Sequence, residues 1–201
     1  MRAREEVLQR VRDAIGPAAG ADHQIPREYR TRTDDGLDTF VERLHYYDAT
    51  TRRLAQTELD AGVRAALAER GVRRLVAPEG VPESWLEGVE PLRDDPPLDP
   101  PALDASDGVI STCAVAIAQT GTIVLDGSAG MGRRVLSLVP DYHLCVVRAD
   151  QVVGSVPEAL ARLDPLRPLT FVSGPSATVD IEMVRVAGVH GPRTLEVILV
   201  E

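Results

Sequence analysis

The residues of this chain best equipped for chemistry lie in four short segments rich in glycine, hydroxyls and arginine. Ser173-Gly174-Pro175-Ser176-Ala177-Thr178-Val179-Asp180 follows an apolar run and precedes an expected short helix. Small residues there let backbone bend sharply toward a ligand. Ser173, Ser176 and Thr178 add hydroxyls, and the free N–H groups of a helix start favour an anion. His190-Gly191-Pro192-Arg193 precedes the last apolar run. Arg193 is a planar fork suited to a carboxylate or phosphate, and His190 titrates near neutral pH. Gly127-Ser128-Ala129-Gly130-Met131-Gly132-Arg133-Arg134 is a second candidate anion cradle, and Gln119-Thr120-Gly121-Thr122 is a tight turn. Each segment lies at the end of an expected strand. In open α/β sheets ligands collect at carboxyl ends of strands, so the four segments are expected to converge on one anion pocket.

What is missing narrows the chemistry. The chain has no lysine, which excludes a P-loop lysine, a Schiff base and a pyridoxal-phosphate anchor. An anionic ligand must then be held by arginine or backbone N–H groups. Cys113 and Cys145 are the only cysteines, too few for a cubane iron–sulfur cluster, which takes about four thiolates. His143 and Cys145 alternate on an expected strand and share a face, but zinc would want two more ligands, and the pair reads as core. Asp180 reads as a helix cap and Glu182 as solvent-facing. A net charge of −9 speaks against nucleic acid. The amino-terminal residues are charged, with no apolar stretch of a signal peptide, so a cytoplasmic location is expected.

The elements that must position these segments follow from hydrophobic period. Residues 4–15 read as an amphipathic helix ended by Gly16-Pro17, residues 18–35 as polar and partly mobile, and 36–47 and 51–70 as two further helices. Together, 1–70 is expected to be a helical extension on a core of 71–201. Pro82 opens a brief helix, and the proline-rich stretch 94–106 is a stiff connector. Strands are expected at 73–77, 108–111, 135–139, 144–147, 169–172 and 195–200, with a hairpin of 114–118 and 122–125. One helix at 156–163 carries Ser155 as its cap. Strands interleaved with helices make a layered α/β domain with a mixed sheet.

From about Gly71 onward the four segments, in their order along the chain, resemble the bacterial lactate-utilisation (LUD) family and its small C-type subunit. The resemblance implies the fold of ribose-5-phosphate isomerases, glucosamine-6-phosphate deaminases and CoA transferases. It also implies a place in a three-protein system that oxidises L-lactate to pyruvate, with iron–sulfur clusters in the partner subunits and none in this chain. The chain departs from the family at Gln119, where relatives usually carry Glu-Thr-Gly-Thr. In CoA transferases of that fold a glutamate forms the acyl adduct, which an amide cannot do. Two readings stay open: a substrate-handling subunit that binds a small anion and the iron–sulfur partners, or an independent enzyme on a phosphorylated or CoA-linked substrate.

Overall fold

The computed structural model describes residues 3–16, 25–178, 186–187 and 191–201. It forms two compact units, Met1–Arg30 and Thr31–Glu201. The first contains α1 (Ala3–Ile15), a helix in the expected place whose Val7, Leu8, Val11 and Ile15 are all exposed. No described helix is long and apolar enough to cross a membrane.

The second unit runs α2 (Leu37–Tyr46), β1 (Thr50–Leu54), α3 (Leu59–Glu69), β2 (Arg74–Val76), β3 (Glu90–Leu92), α4 (Pro100–Asp104), β4 (Gly108–Ser111), β5 (Val115–Ile117), β6 (Thr122–Leu125), β7 (Tyr142–Arg148), β8 (Val152–Val153), α5 (Val156–Arg162), β9 (Thr170–Val172), β10 (Ala177–Thr178), β11 (Val186–Ala187) and β12 (Thr194–Val200). Six strands form one sheet in the order β1-β12-β7-β4-β2-β3, with every pairing parallel. Parallel strands buried on both faces need near-continuous apolar runs, and β4, β7 and β12 supply them. A second, mixed sheet has the order β8-β5-β6-β9 and contains the expected hairpin, β5 antiparallel to β6. β10 and β11 pair by themselves.

Alternation along the strands sorts side chains between layers. Leu144, Val146, Ile198 and Val200 meet Leu59, Val63, Ala66 and Leu67 of α3. Cys145, Val147, Val197 and Leu199 point the other way, onto Ala116 and Ile123 of the second sheet and Phe40 and Leu44 of α2. The outer face of the second sheet packs Val115, Ile117 and Val124 against Ala159 of α5. The result is a layered α/β fold.

Two expectations are corrected. The stretch 51–70 is not one helix: its first part is β1, which lies beside β12 in register Thr50↔Glu196, and α3 begins only at Leu59. The β-branched and paired residues Thr50-Thr51-Arg52-Arg53 suit an edge strand, and they make residues 36–70 part of the layered unit and not an appendage. Residues 135–139 are not a strand; Arg134–Ser137 is a single 3₁₀ turn. The brief helix opened by Pro82 is in the expected place, as the 3₁₀ helix Glu83–Trp85.

The amino-terminal edge of the second unit is tied down. Ser155 Oγ donates to the Thr31 carbonyl at 3.0 Å, and Thr33 N–H donates to Glu158 Oε2 at 3.4 Å, so both brace the start of α5. A chain starting at Thr31 is expected to unfold cooperatively like the full chain. One starting at Gly36 should lose about 1–2 kcal/mol with those bonds. Chemical denaturation of the two truncations checks this, and a molten Thr31 product would contradict it.

Candidate functional site

After β9 the chain turns through Ser173-Gly174-Pro175. Gly174 has φ +79°, and a Cβ there would lie 2.4 Å from Tyr47 Cβ. Glycine is needed at this point because the backbone presses on the end of α2. The turn is held from the hairpin side by a run of hydroxyls. Thr120 Oγ1 and Thr122 Oγ1 are 2.7 Å apart, and Thr122 Oγ1 is 2.7 Å from Ser173 Oγ. Ser176 N–H donates to the Pro192 carbonyl at 2.8 Å, so Ser173–Ala177 and Gly191-Pro192 form one wall. Arg134, Ser137 and Leu138 face it from the 3₁₀ turn, and His143 and Leu195 close it from the sheet. Between them lies a cavity of about 300 Å³ with mixed polar and apolar lining.

His143 is the least expected member. It is 1% exposed, and its Nε2 lies 2.7 Å from Ser111 Oγ. Burial pushes its pKa down to about 4, so the ring is neutral at physiological pH. Burial also pushes the Cys145 thiol up to about 12 and the Cys113 thiol well above its usual range. Both cysteines are therefore protonated, unreactive core residues. His143 and Leu195 are paired second residues of β7 and β12. The cavity thus sits at the amino ends of those central strands and the carboxyl end of β9, not at the carboxyl end of the main sheet.

The other candidate residues are dispersed. Gln119 is exposed at the hairpin turn. Gly121 has φ +60°, and a Cβ there would meet Arg43 Cβ at 2.7 Å, so its missing side chain admits α2 and not a ligand. Gly132 packs on Pro78 and Leu136 and borders a different cavity, of about 520 Å³, with Glu79, Arg93 and Asp94. Arg133 holds Asp94 through two bonds, of 2.7 and 2.9 Å, and also donates to the Leu98 carbonyl. This pair pulls the Asp94 pKa down. Arg193 grips Asp141 in the same two-pronged way, at 2.5 and 2.9 Å. That pair depresses the Asp141 carboxyl and joins the chain just before β7 to the chain just before β12. Thr178 lies in β10. Asp180, His190 and the short helix expected after Thr178 lie outside the described residues.

The structure thus brings together Ser173, Gly174, Ser176 and Arg134, with Thr122 one hydroxyl behind and Thr120 two. Among the described residues Arg134 makes no ion pair, unlike Arg133 and Arg193. His143, Leu138 and Phe171 were not expected there. The usable signal for His143 was a polar residue in an otherwise apolar strand, which pattern reading assigns to the core. Among the described residues no three His, Cys, Asp or Glu side chains gather as metal ligands.

Comparison with known proteins agrees with this architecture. Residues 102–200 match the LUD domain. Lactate utilization protein C of Deinococcus radiodurans is 49% identical over 169 residues, which is 82% of this chain and 79% of that protein. Lactate utilization protein C of Shouchella clausii is 34% identical over 96 residues, 44% of this chain and 42% of that one. The crystal structure of a DUF162 family protein from Deinococcus radiodurans superposes with a TM-score of 0.70 at 44% identity, covering 82% of this chain and 95% of the other. Sequence, architecture and long-range identity lead to one conclusion: this chain belongs to the LUD-domain family.

Proposed function

We propose that this chain is the small C-type component of a cytoplasmic lactate-utilisation system, and that it binds a short carboxylate, lactate or pyruvate, in the cavity beside Ser173–Ala177. The names of its relatives place them in lactate utilisation. The observation that carries the binding reading is Arg134, a guanidinium at the cavity without an ion pair among the described residues. A planar fork over hydroxyls and a half-apolar wall suits a small organic acid. The chain's two cysteines are buried and protonated, so in this reading the electrons of lactate oxidation pass through iron–sulfur partner subunits, and this chain holds substrate or product for them.

Titration calorimetry with L-lactate and pyruvate tests this. Arg134→Ala is expected to weaken binding about 10- to 100-fold, the loss of a hydrogen bond to a charged group. Arg193→Ala, which breaks only the exposed pair with Asp141, should change affinity by less than about twofold. Equal affinity of wild type and Arg134→Ala would remove the reading. Co-purification with the iron–sulfur subunits tests the partner half separately.

A further inference from the structure

The cavity contains a polar group that carboxylate binding does not use. His143 is almost wholly buried on β7, borders the cavity, and has Nε2 engaged by Ser111. Among the described residues Nδ1 has no partner. Thr33 Oγ1 is the one buried side-chain oxygen or nitrogen left unpartnered there, so Nδ1 is not sealed in the core but reaches the cavity surface. A ring nitrogen that faces the cavity without a protein partner has hydrogen-bonding capacity that a ligand atom can use.

We infer that the His143–Ser111 pair reads the oxygen on C2 of the bound acid, and that it accepts both a 2-hydroxy acid and the corresponding 2-oxo acid. This rests on the carboxylate reading of the cavity. The chemistry follows from the pair. A hydroxyl both donates and accepts. If Nε2–H donates to Ser111, Nδ1 is a bare acceptor and takes the O–H of a 2-hydroxy acid. If the Ser111 hydroxyl rotates and donates to Nε2, Nδ1 carries the proton and donates to a 2-oxo group. The pair stays neutral and holds the same number of protons in both states; the ring proton passes from Nε2 to Nδ1 by exchange with solvent in the open cavity. A charged imidazolium would have two donors and no acceptor, and could not take the O–H of the hydroxy acid; burial beside Leu195 keeps the ring neutral. A subunit that must hold substrate and release product, or the reverse, gains from a floor that fits both oxidation levels.

The test uses the full chain labelled with ¹⁵N-histidine and three probes: L-lactate, pyruvate, and propionate, which has the same carboxylate and no oxygen on C2. Long-range ¹H–¹⁵N spectra report which ring nitrogen carries the proton. His143 should show the Nε2–H tautomer with L-lactate and the Nδ1–H tautomer with pyruvate, and should not respond to propionate. Lactate and pyruvate should bind about tenfold tighter than propionate. Ser111→Ala, a small change beside a packed ring, should erase that preference; His143→Gln is the second variant, and either one suffices if the other does not fold. If all three acids bind alike through Arg134 and the ring nitrogens stay put, this inference is wrong while the carboxylate reading stands. If none of the three binds, both are wrong.

Discussion

Replacing Glu196 by alanine is expected to destabilise the protein by about 3–5 kcal/mol, the largest effect of any single polar change in the layered unit. Glu196 lies on β12 with its side chain 3% exposed, on the face covered by α3. Arg52 Nε donates to its Oε1 at 2.6 Å, and Tyr142 Oη donates to its Oε2 at 3.0 Å. Arg70 Nε is 3.5 Å from Oε2, and its guanidinium stands 5.2 Å from the centroid of the Tyr142 ring. Arg52 in turn grips Glu69 of α3 with two bonds, of 3.2 and 2.7 Å. One carboxylate therefore joins β1, β12, β7 and α3. The pairing holds the Arg52 guanidinium firmly protonated, and desolvation, with the carboxylate beside it, raises the Tyr142 hydroxyl pKa far above its ordinary value. Alanine would leave that hydroxyl buried and unpaired and open a cavity under β1. Urea unfolding checks the value. Glu196→Gln keeps the shape and one acceptor and should cost less, and a loss below about 1 kcal/mol for alanine would mean that the two arginines re-pair with Glu69 alone.

The second large effect is an acid destabilisation that belongs to one residue. His143 has its pKa lowered to about 4 by burial, against an unfolded value of about 6.5. Between these values the unfolded chain binds a proton that the folded chain refuses. Stability therefore rises with pH through this window. At pH 7 the contribution is fully present. It is lost as pH falls, by about 2 kcal/mol at pH 5 and about 3 kcal/mol at pH 4, since each pKa unit is worth about 1.4 kcal/mol. Asp94 and Asp141, each paired with an arginine, and Asp107, which accepts the Arg73 and Arg74 N–H groups, have lowered values too, so most of their losses come below this window. Comparing wild type with His143→Gln at pH 7, 5 and 4 isolates the histidine. The variant should show a flatter slope, and parallel slopes would mean that His143 is solvated and protonated in the folded state. The same neutrality is what lets Nδ1 act as acceptor or donor toward a ligand.

Much of the architecture was legible in the chain. The apolar runs of β4, β7 and β12 and the strand–turn–strand pattern of 114–125 name their own structure, because burial on both faces demands uninterrupted apolar residues and a turn demands glycine. The Ser155 cap and α5 were legible for the same local reason: Glu158 three residues on closes the box around Ser155. β1 was not, since Thr50-Thr51-Arg52-Arg53-Leu54 has little apolar content, and an edge strand whose outward groups are charged acquires its conformation from the β12 neighbour.

The candidate site divides along the same line. That anions here would fall to arginine, and that Ser173–Ala177 and Gly191-Pro192 are special backbone, follows from residue types alone. Which arginine is available does not. Arg133, Arg134 and Arg193 are chemically identical in the sequence, and only the fold sets Asp94 under Arg133 and Asp141 under Arg193, from 39 and 52 positions away, and leaves Arg134 beside the cavity. The glycines show the same limit. Gly121 and Gly174 signal a close approach, but the approaching group is α2 of this chain, which is a long-range contact. His143 is the clearest case. Its strand and face were readable from alternation, yet whether a polar side chain on a buried face is sealed or borders a cavity depends on what the neighbouring layer leaves unfilled. That is a property of packing between segments distant in sequence, and it is decided only in three dimensions.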